Sequence, residues 1–364
     1  MTLLNQAILL VAKASPPVAP GHVAPLLKQP LTPRSVVETV LAHVPHPWPP
    51  LWAFLVPLLV GVVVMPWAIG QLARAGMGQK IREEGPRTHM AKGGTPTSGG
   101  LAVIGLLLLT LLALDRSAKV VAPLLAILLG GGLGLLDDLV TVKSRSWTRG
   151  LLARQRIVLQ LVAGLVLAVV MLRAHDDVQQ LPLLGAWHMG WLLLPFAALV
   201  LAAAANAFNL TDGSDGLAPG VMVIVALVLA LMLRNHHHQV ALVRLVLATA
   251  GALTAFLLYN LPPARVFLGG VGSEGLGMML ATVAIAGGLM WFLPLLAIVP
   301  LVETASVMIQ VVVFKRTGRR VFKMSPLHHH FQLSGWSEWA VALAAWAATF
   351  LGGTIGLLLA RRAT

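Results

Sequence analysis

Apolar stretches of about 20 residues, each long enough to cross a bilayer, recur from residue 51 to residue 360. In hydrocarbon every backbone amide must find its partner inside its own segment, so repeated stretches of this kind fold as helices packed into a bundle. The chain reads as ten such helices, at 51–72, 99–114, 119–136, 157–173, 190–206, 219–233, 241–259, 275–289, 291–312 and 338–360, with Pro294 and Pro300 interrupting the ninth. Composition agrees, at 57% hydrophobic and 11% charged residues, against roughly 25% charged in soluble domains. The expected fold class is all-α: a polytopic membrane protein of about ten transmembrane helices with its active-site loops in the cytoplasm. Two parts are expected, an interfacial or disordered N-terminal arm over 1–50 and a transmembrane domain over 51–364.

A formal charge of +13 would suit a nucleic-acid partner, but its distribution argues otherwise. Sixteen of the 26 Lys and Arg fall in the loops after the first, third, fifth, seventh and ninth helices, five each in 73–98, 137–156 and 313–337. The positive-inside rule assigns those loops to the cytoplasm and both termini to the outside, and no nucleic-acid partner is expected. The chain has no cysteine, which excludes disulfides and thiolate metal sites. No basic stretch precedes the short apolar run from Leu3 to Ala12, so a cleaved signal peptide is not expected.

Asp137 and Asp138 close the apolar run VVAPLLAILLGGGLGLLDD. Carboxylates at the C-terminal end of a membrane helix meet the negative end of its dipole and repel each other. Acids at a membrane edge are costly and functional by default, so the pair calls for a metal or a basic substrate-binding cluster. The Lys143, Arg145, Arg149, Arg154 and Arg156 run that follows is accounted for by positive-inside anchoring.

Three further motifs fall in loops assigned to the same side. GPRTHMAKGGTPTSGG, from Gly85 to Gly100, has the turn residues of an anion-binding loop and donors in His89, Lys92, Thr95 and Thr97. NAFNLTDGSDGL, from Asn206 to Leu217, reads as a re-entrant or helix-ending loop lining a polar cavity, with oxygen donors suited to Mg²⁺. It lacks the ligand spacing of a calcium loop. PLHHHFQLSGW, from Pro326 to Trp336, carries three successive histidines that cannot all face one metal, and reads as a polar loop for an anionic or hydrogen-bonding substrate. A second triple, His236 to His238, lies in a short loop on the other side and is read as solvated.

The ordered set GTPTSGG, LLDD, NAFNLTDGSDGL, NLPPARVFLGGVGS and SPLHHHFQLSGWSE resembles the phospho-N-acetylmuramoyl-pentapeptide transferase family of polyprenyl-phosphate sugar-phosphate transferases, from about residue 60 to the C-terminus. The resemblance implies a Mg²⁺-dependent enzyme of the bacterial inner membrane with its site facing the cytoplasm. It further implies a homodimer that moves phospho-MurNAc-pentapeptide from UDP-MurNAc-pentapeptide to undecaprenyl phosphate, giving lipid I and UMP. It makes Asp137 and Asp138 the catalytic acids and puts Asn209, with Asp138, at the metal. Lys92, Asp212 and Asp215 take positions that hold the uridine and pyrophosphate, Asn260 and Phe267 lie in the nucleoside-pocket segment, and His328, His329 and His330 match a substrate-recognition triad.

The chain also departs from the family pattern. An aspartate usual before V-G-S is Gly270, and a lysine usual three residues after the acid pair is Thr141. Gln332, Ser334 and Ser214 stand where Glu, Lys and Leu are usual. Glu274, one helical turn beyond Gly270, is the candidate replacement carboxylate. Two rival readings remain: a catalytically weakened, substrate-binding member of the family, motivated by Gly270 and Thr141, and a proton-coupled transporter using Asp and His relays, which lacks the expected inverted repeats.

Overall fold

The computed structural model describes residues 50–78, 94–114, 117–143, 151–174, 177–234 and 239–363. Among them run ten long helices: α1 Pro50–Arg74, α2 Gly100–Leu114, α3 Val121–Lys143, α4 Ala153–Ala174, α5 Leu193–Thr211, α6 Leu217–Leu233, α7 Val240–Asn260, α8 Gly269–Ala286, α9 Ile298–Thr317 and α10 Glu338–Ala363. Eight are long and apolar enough to cross a membrane, and α2 and α6 are shorter apolar helices. The protein is therefore an all-α, multi-pass membrane protein. The arm expected over 1–50 falls, except for Pro50, outside the described residues.

Each expected helix is present, but several boundaries move. α3 continues through Asp137 and Asp138 to Lys143, and α4 begins at Ala153, so Arg154 and Arg156 belong to its first turn rather than to a loop. α8 starts at Gly269, six residues before the expected 275. The ninth segment is divided, but at Ala297, between its prolines: Pro294 lies in a four-residue helix Leu293–Leu296 and Pro300 in the first turn of α9. A feature not expected is the antiparallel hairpin of β1 Val178–Leu181 and β2 Gly185–His188, between α4 and α5.

α8 is the axis of the bundle: 94% of its span is buried, and its main neighbours are α3 and α5. The α3 contact is a seam of glycines. A Cβ at Gly134 would stand 2.1 Å from the Gly270 carbonyl oxygen, and one at Gly275 would stand 3.0 Å from the Gly131 Cα. Between helices in lipid the driving force is close packing rather than exclusion of water, and small residues permit it. α1, α6 and α7 pack beside this centre, with α10 laid on α6.

The two ends of α8 are tied to different parts of the molecule. The two residues leading into its first turn are laced to the start of α2, where Gly99 N donates to Phe267 O (2.8 Å) and Gly100 N to Leu268 O (2.9 Å). At its other end, Gln179 Nε2 donates to Ile285 O in the last turn (2.9 Å), and Gln180 N donates to Gly288 O just beyond it (2.8 Å). The hairpin therefore marks the end of the bundle opposite the first turn of α8. α9 is the least embedded helix, burying only Val299, Pro300, Glu303 and Ser306 along one face. After it the chain doubles back: Gln310 Oε1 accepts from Val321 N and Phe322 N (3.0 Å each), and a short helix Leu327–Gln332 comes to rest beside Glu303.

Candidate active site

Asp137 and Asp138 lie inside the last turns of α3, not at its terminus, so the unfavourable helix-end dipole inferred from sequence is softened. Successive helical residues diverge by about 100°, and the two acids use that divergence. Asp138 turns toward α8, its Oδ2 accepting from Ser98 Oγ (2.8 Å) and its Oδ1 from Gly270 N (3.2 Å). Asp137 turns toward α4, its Oδ1 accepting from Leu151 N (2.8 Å), while its Oδ2 lies 3.6 Å from the Arg156 guanidinium. They are two separately held carboxylates rather than a proton-sharing dyad.

Asp212 joins them from the end of α5. Its Oδ2 accepts from Gly269 N (3.1 Å), so the first two amides of α8 serve Asp212 and Asp138 in turn. Glycine is required at 269: φ is +72°, and a Cβ would stand 2.7 Å from Ser98 N and 2.9 Å from Asp138 Oδ2. Burial pushes the Asp212 carboxyl well above its usual range, the Gly269 amide opposes this, and the charges of Asp138 and Asp215 raise it further. One turn back on α5, Asn209 Oδ1 accepts from Ser273 Oγ (3.0 Å). The segment NAFNLTDGSDGL is thus helical through Thr211 and turns only at Asp212 to Gly216, which corrects the re-entrant loop while keeping a helix end at the site.

Asp215 and Asn260 are tied into the frame. Asp215 Oδ2 accepts from Ala264 N (2.9 Å), while Asn260 accepts from Gly216 N (2.9 Å) and donates to Val266 O (2.8 Å). Together they hold the 261–266 segment that carries Phe267 into the start of α8, and Phe267 N donates to Pro96 O (2.8 Å).

The three histidines occupy the short helix Leu327–Gln332, not a loop, and they diverge as the spacing required. His328 is buried under the Asp212–Gly216 turn, where a Cβ on Gly213 would stand 2.3 Å from its Nε2. Its backbone N–H donates to Glu303 (3.1 Å), and its Nδ1 lies 3.3 Å from a Glu303 oxygen. His329 Nδ1 pairs with Gln332 Oε1 (3.1 Å), and His330 Nδ1 accepts from Lys323 N (3.1 Å). Gln332 in turn donates to Ser214 Oγ (2.9 Å), so two of the departures from the family pattern meet in one hydrogen bond. Lys92, His89 and the triple His236 to His238 lie outside the described residues.

Several residues of this site were not singled out from sequence. Ser98 sat within a quoted motif without a role, and Gln160 gave no signal. Glu303 did give one, as a lone carboxylate in an apolar helix. Arg156, read as an anchor, instead reaches both Asp137 and Glu274. Glu274 does not join Asp138 as a free ligand: its oxygens are taken by Arg156 and by Gln160 Nε2 (2.8 Å).

The donor chemistry suits Mg²⁺. Asp138, Asp212 and Asn209 present hard oxygens around the first turn of α8, whereas no group of three His, Cys, Asp or Glu side chains among the described residues could cage an ion.

Residues 120–288 match the model of the family described as glycosyl transferase family 4. Over 315 residues the chain is 42% identical to a protein of Heliobacterium modesticaldum, covering 85% of this chain and 97% of that one. It is 43% identical over 317 residues to one of Moorella thermoacetica (84% and 98%) and 37% identical over 318 residues to one of Bacillus subtilis (85% and 97%). All three relatives bear the name phospho-N-acetylmuramoyl-pentapeptide-transferase.

Proposed function

Since the chain belongs to the phospho-N-acetylmuramoyl-pentapeptide-transferase family, we propose that it moves phospho-MurNAc-pentapeptide from its UDP carrier to undecaprenyl phosphate, forming lipid I and releasing UMP. The observation that carries this reading is the meeting of Asp137, Asp138, Asp212 and Asn209 at one end of the bundle, where helices α3 and α5 end and α8 begins. An isoprenoid tail stays in lipid, so its phosphate is reachable only at such a membrane edge.

Both reactants are anionic, and catalysis is chiefly positioning and neutralisation of charge. An oxygen of the acceptor phosphate attacks the sugar-side phosphorus of the diphosphate; the bond from that phosphorus to the bridging oxygen breaks, and UMP leaves with the bonding pair. Asp137, held at one oxygen by Leu151 N and open at the other apart from Arg156, orients the acceptor phosphate and takes its proton. Asp138 and Asn209 would hold Mg²⁺, which supplies positive charge to the diphosphate oxygens when bound. Asp212 frames the nucleotide side beside the His328 helix, with Asp215 and Asn260 holding the 261–266 segment in place behind it, Lys92 as a phosphate cation, and Phe267, His329 and His330 bordering the substrate.

The reading places the site on the cytoplasmic face of the bacterial inner membrane, as the clustering of Lys and Arg supports, and takes the protein to work as a homodimer. The deciding experiment gives purified protein UDP-MurNAc-pentapeptide, undecaprenyl phosphate and Mg²⁺ and measures UMP. Release that needs the lipid and is abolished by EDTA is expected, and release restored by added Mg²⁺ completes it. No lipid-dependent UMP would overturn the assignment.

A further inference from the structure

Glu274 is a carboxylate in the second turn of a helix with no other charged residue, and only 1% of its side chain is exposed. Burying such a group is costly unless it is paired and hydrogen-bonded, and here both its oxygens are engaged. One accepts from the Arg156 guanidinium and the other from Gln160 Nε2 (2.8 Å). Gln160 is fixed from behind by the Asn206 amide, which donates to its Oε1. The orientation of the carboxylate is therefore set by Arg156 and Gln160 on α4 and, behind them, by Asn206 on α5.

Arg156 stands between this carboxylate and Asp137. Its contact with Glu274 is a close ion pair, whereas Asp137 Oδ2 is 3.6 Å away, beyond a hydrogen bond. Two carboxylates thus compete for one cation, and the buried one has the shorter contact. Resting on the functional reading above, we propose that Glu274 is a positioning residue: it draws Arg156 back from Asp137, so that Asp137 keeps an oxygen free for the acceptor phosphate while a cation stays within reach. Without the charge on Glu274, the attraction of Arg156 falls on Asp137 alone, the 3.6 Å gap closes, and the carboxylate is capped.

The proposal predicts how effects combine. Glu274→Gln keeps the size of the side chain and removes its charge; kcat for UMP release should fall by about ten- to a hundredfold, with KM for the nucleotide sugar changed less than about threefold. Because Glu274 acts through Arg156, the double variant Arg156→Gln/Glu274→Gln should be no slower than Arg156→Gln alone, a failure of additivity that a merely structural carboxylate would not produce. Should Glu274→Gln not yield folded protein, Glu274→Asp keeps the charge but withdraws it by one methylene, and a smaller drop in kcat is expected. An active wild type with unchanged kcat in either Glu274 variant, or losses that multiply in the double variant, would overturn the positioning role alone. A wild type that releases no UMP would overturn the functional reading, and the positioning role with it.

Discussion

Adjacent on α3, Asp137 and Asp138 answer to different neighbours, and substitutions at the two should fail differently. Asp138 is gripped by Ser98 and the Gly270 amide, so losing its charge disturbs the start of α8 as well as any bound cation. Asp137→Asn keeps an acceptor for Leu151 N but can neither take a proton nor carry charge. UMP release should fall by roughly a hundredfold or more while the melting temperature stays at the wild-type value; near-normal turnover would remove Asp137 from the reaction. Asp212 gives a prediction in pH. Its folded value lies well above the ordinary 3.8, so between the two values the folded protein keeps a proton that the unfolded chain has lost, and stability falls as pH rises through that window. A cation beside Asp212 opposes this loss. In scanning fluorimetry the gain in Tm from Mg²⁺ should therefore grow as pH is raised above the ordinary carboxylate range, and a gain that stays the same at every pH would argue against a cation there. The acids were legible in the sequence because a carboxylate stands out at a membrane edge, and Glu303 was readable by the same rule. Ser98 and Gln160 were not, since a serine or glutamine takes its meaning only from the partner that folding brings to it.

At the scale of elements, the α3–α8 seam runs through one of the departures from the family pattern. Gly270 packs with a virtual Cβ 3.0 Å from both Asp138 Oδ1 and Gly134 O, so a larger residue there must push against the acid pair or the opposing backbone. The departure that looked in sequence like a missing ligand is, in the fold, part of a close helix crossing. Gly134→Ala should disrupt this seam, since its Cβ would meet the Gly270 carbonyl at 2.1 Å. A loss of at least about 1–3 kcal/mol is expected, read as a drop in Tm in detergent together with reduced turnover, because the same shift displaces Gly269 and Gly270 from the two acids. Unchanged Tm would mean that the seam is looser than described. Helix existence was legible throughout, from the length of the apolar runs. Helix ends were not, because hydropathy marks the part of a helix that lies in lipid and passes over polar turns such as Asp137–Lys143, Ala153–Arg156 and Asn206–Thr211. The hairpin escaped notice because strands of four residues carry too little alternation to register.

For the whole molecule, the absence of native cysteine offers a clean test of which way the bundle faces. Leu184, at the hairpin tip and 81% exposed, is to be changed to cysteine in one variant and the exposed Lys323, on the return toward the histidines, in another. An impermeant maleimide added to intact spheroplasts should label the Leu184→Cys protein and spare Lys323→Cys until the membrane is opened. The reverse pattern would turn the site to the outside and end the proposed use of a cytoplasmic nucleotide sugar. Loop charge foresaw that the motifs share one end, and the structure gathers Ser98, Asp137, Asp138, Asp212 and His328 there from segments far apart in sequence. What charge counting could not supply was the order of contact among them, which depends on how the helices cross.

The two fastenings of α8 constrain how the machine can move. With its first turn threaded among the acids and its last turn and the residues after it stitched to the hairpin, it is bolted at both ends, and a bolt cannot serve as a piston. Any admission of a bulky donor or release of a lipid product must then be accommodated at the periphery, where α9 holds on by a single face and the chain returning from it rests on a few side-chain latches at Gln310 and Glu303.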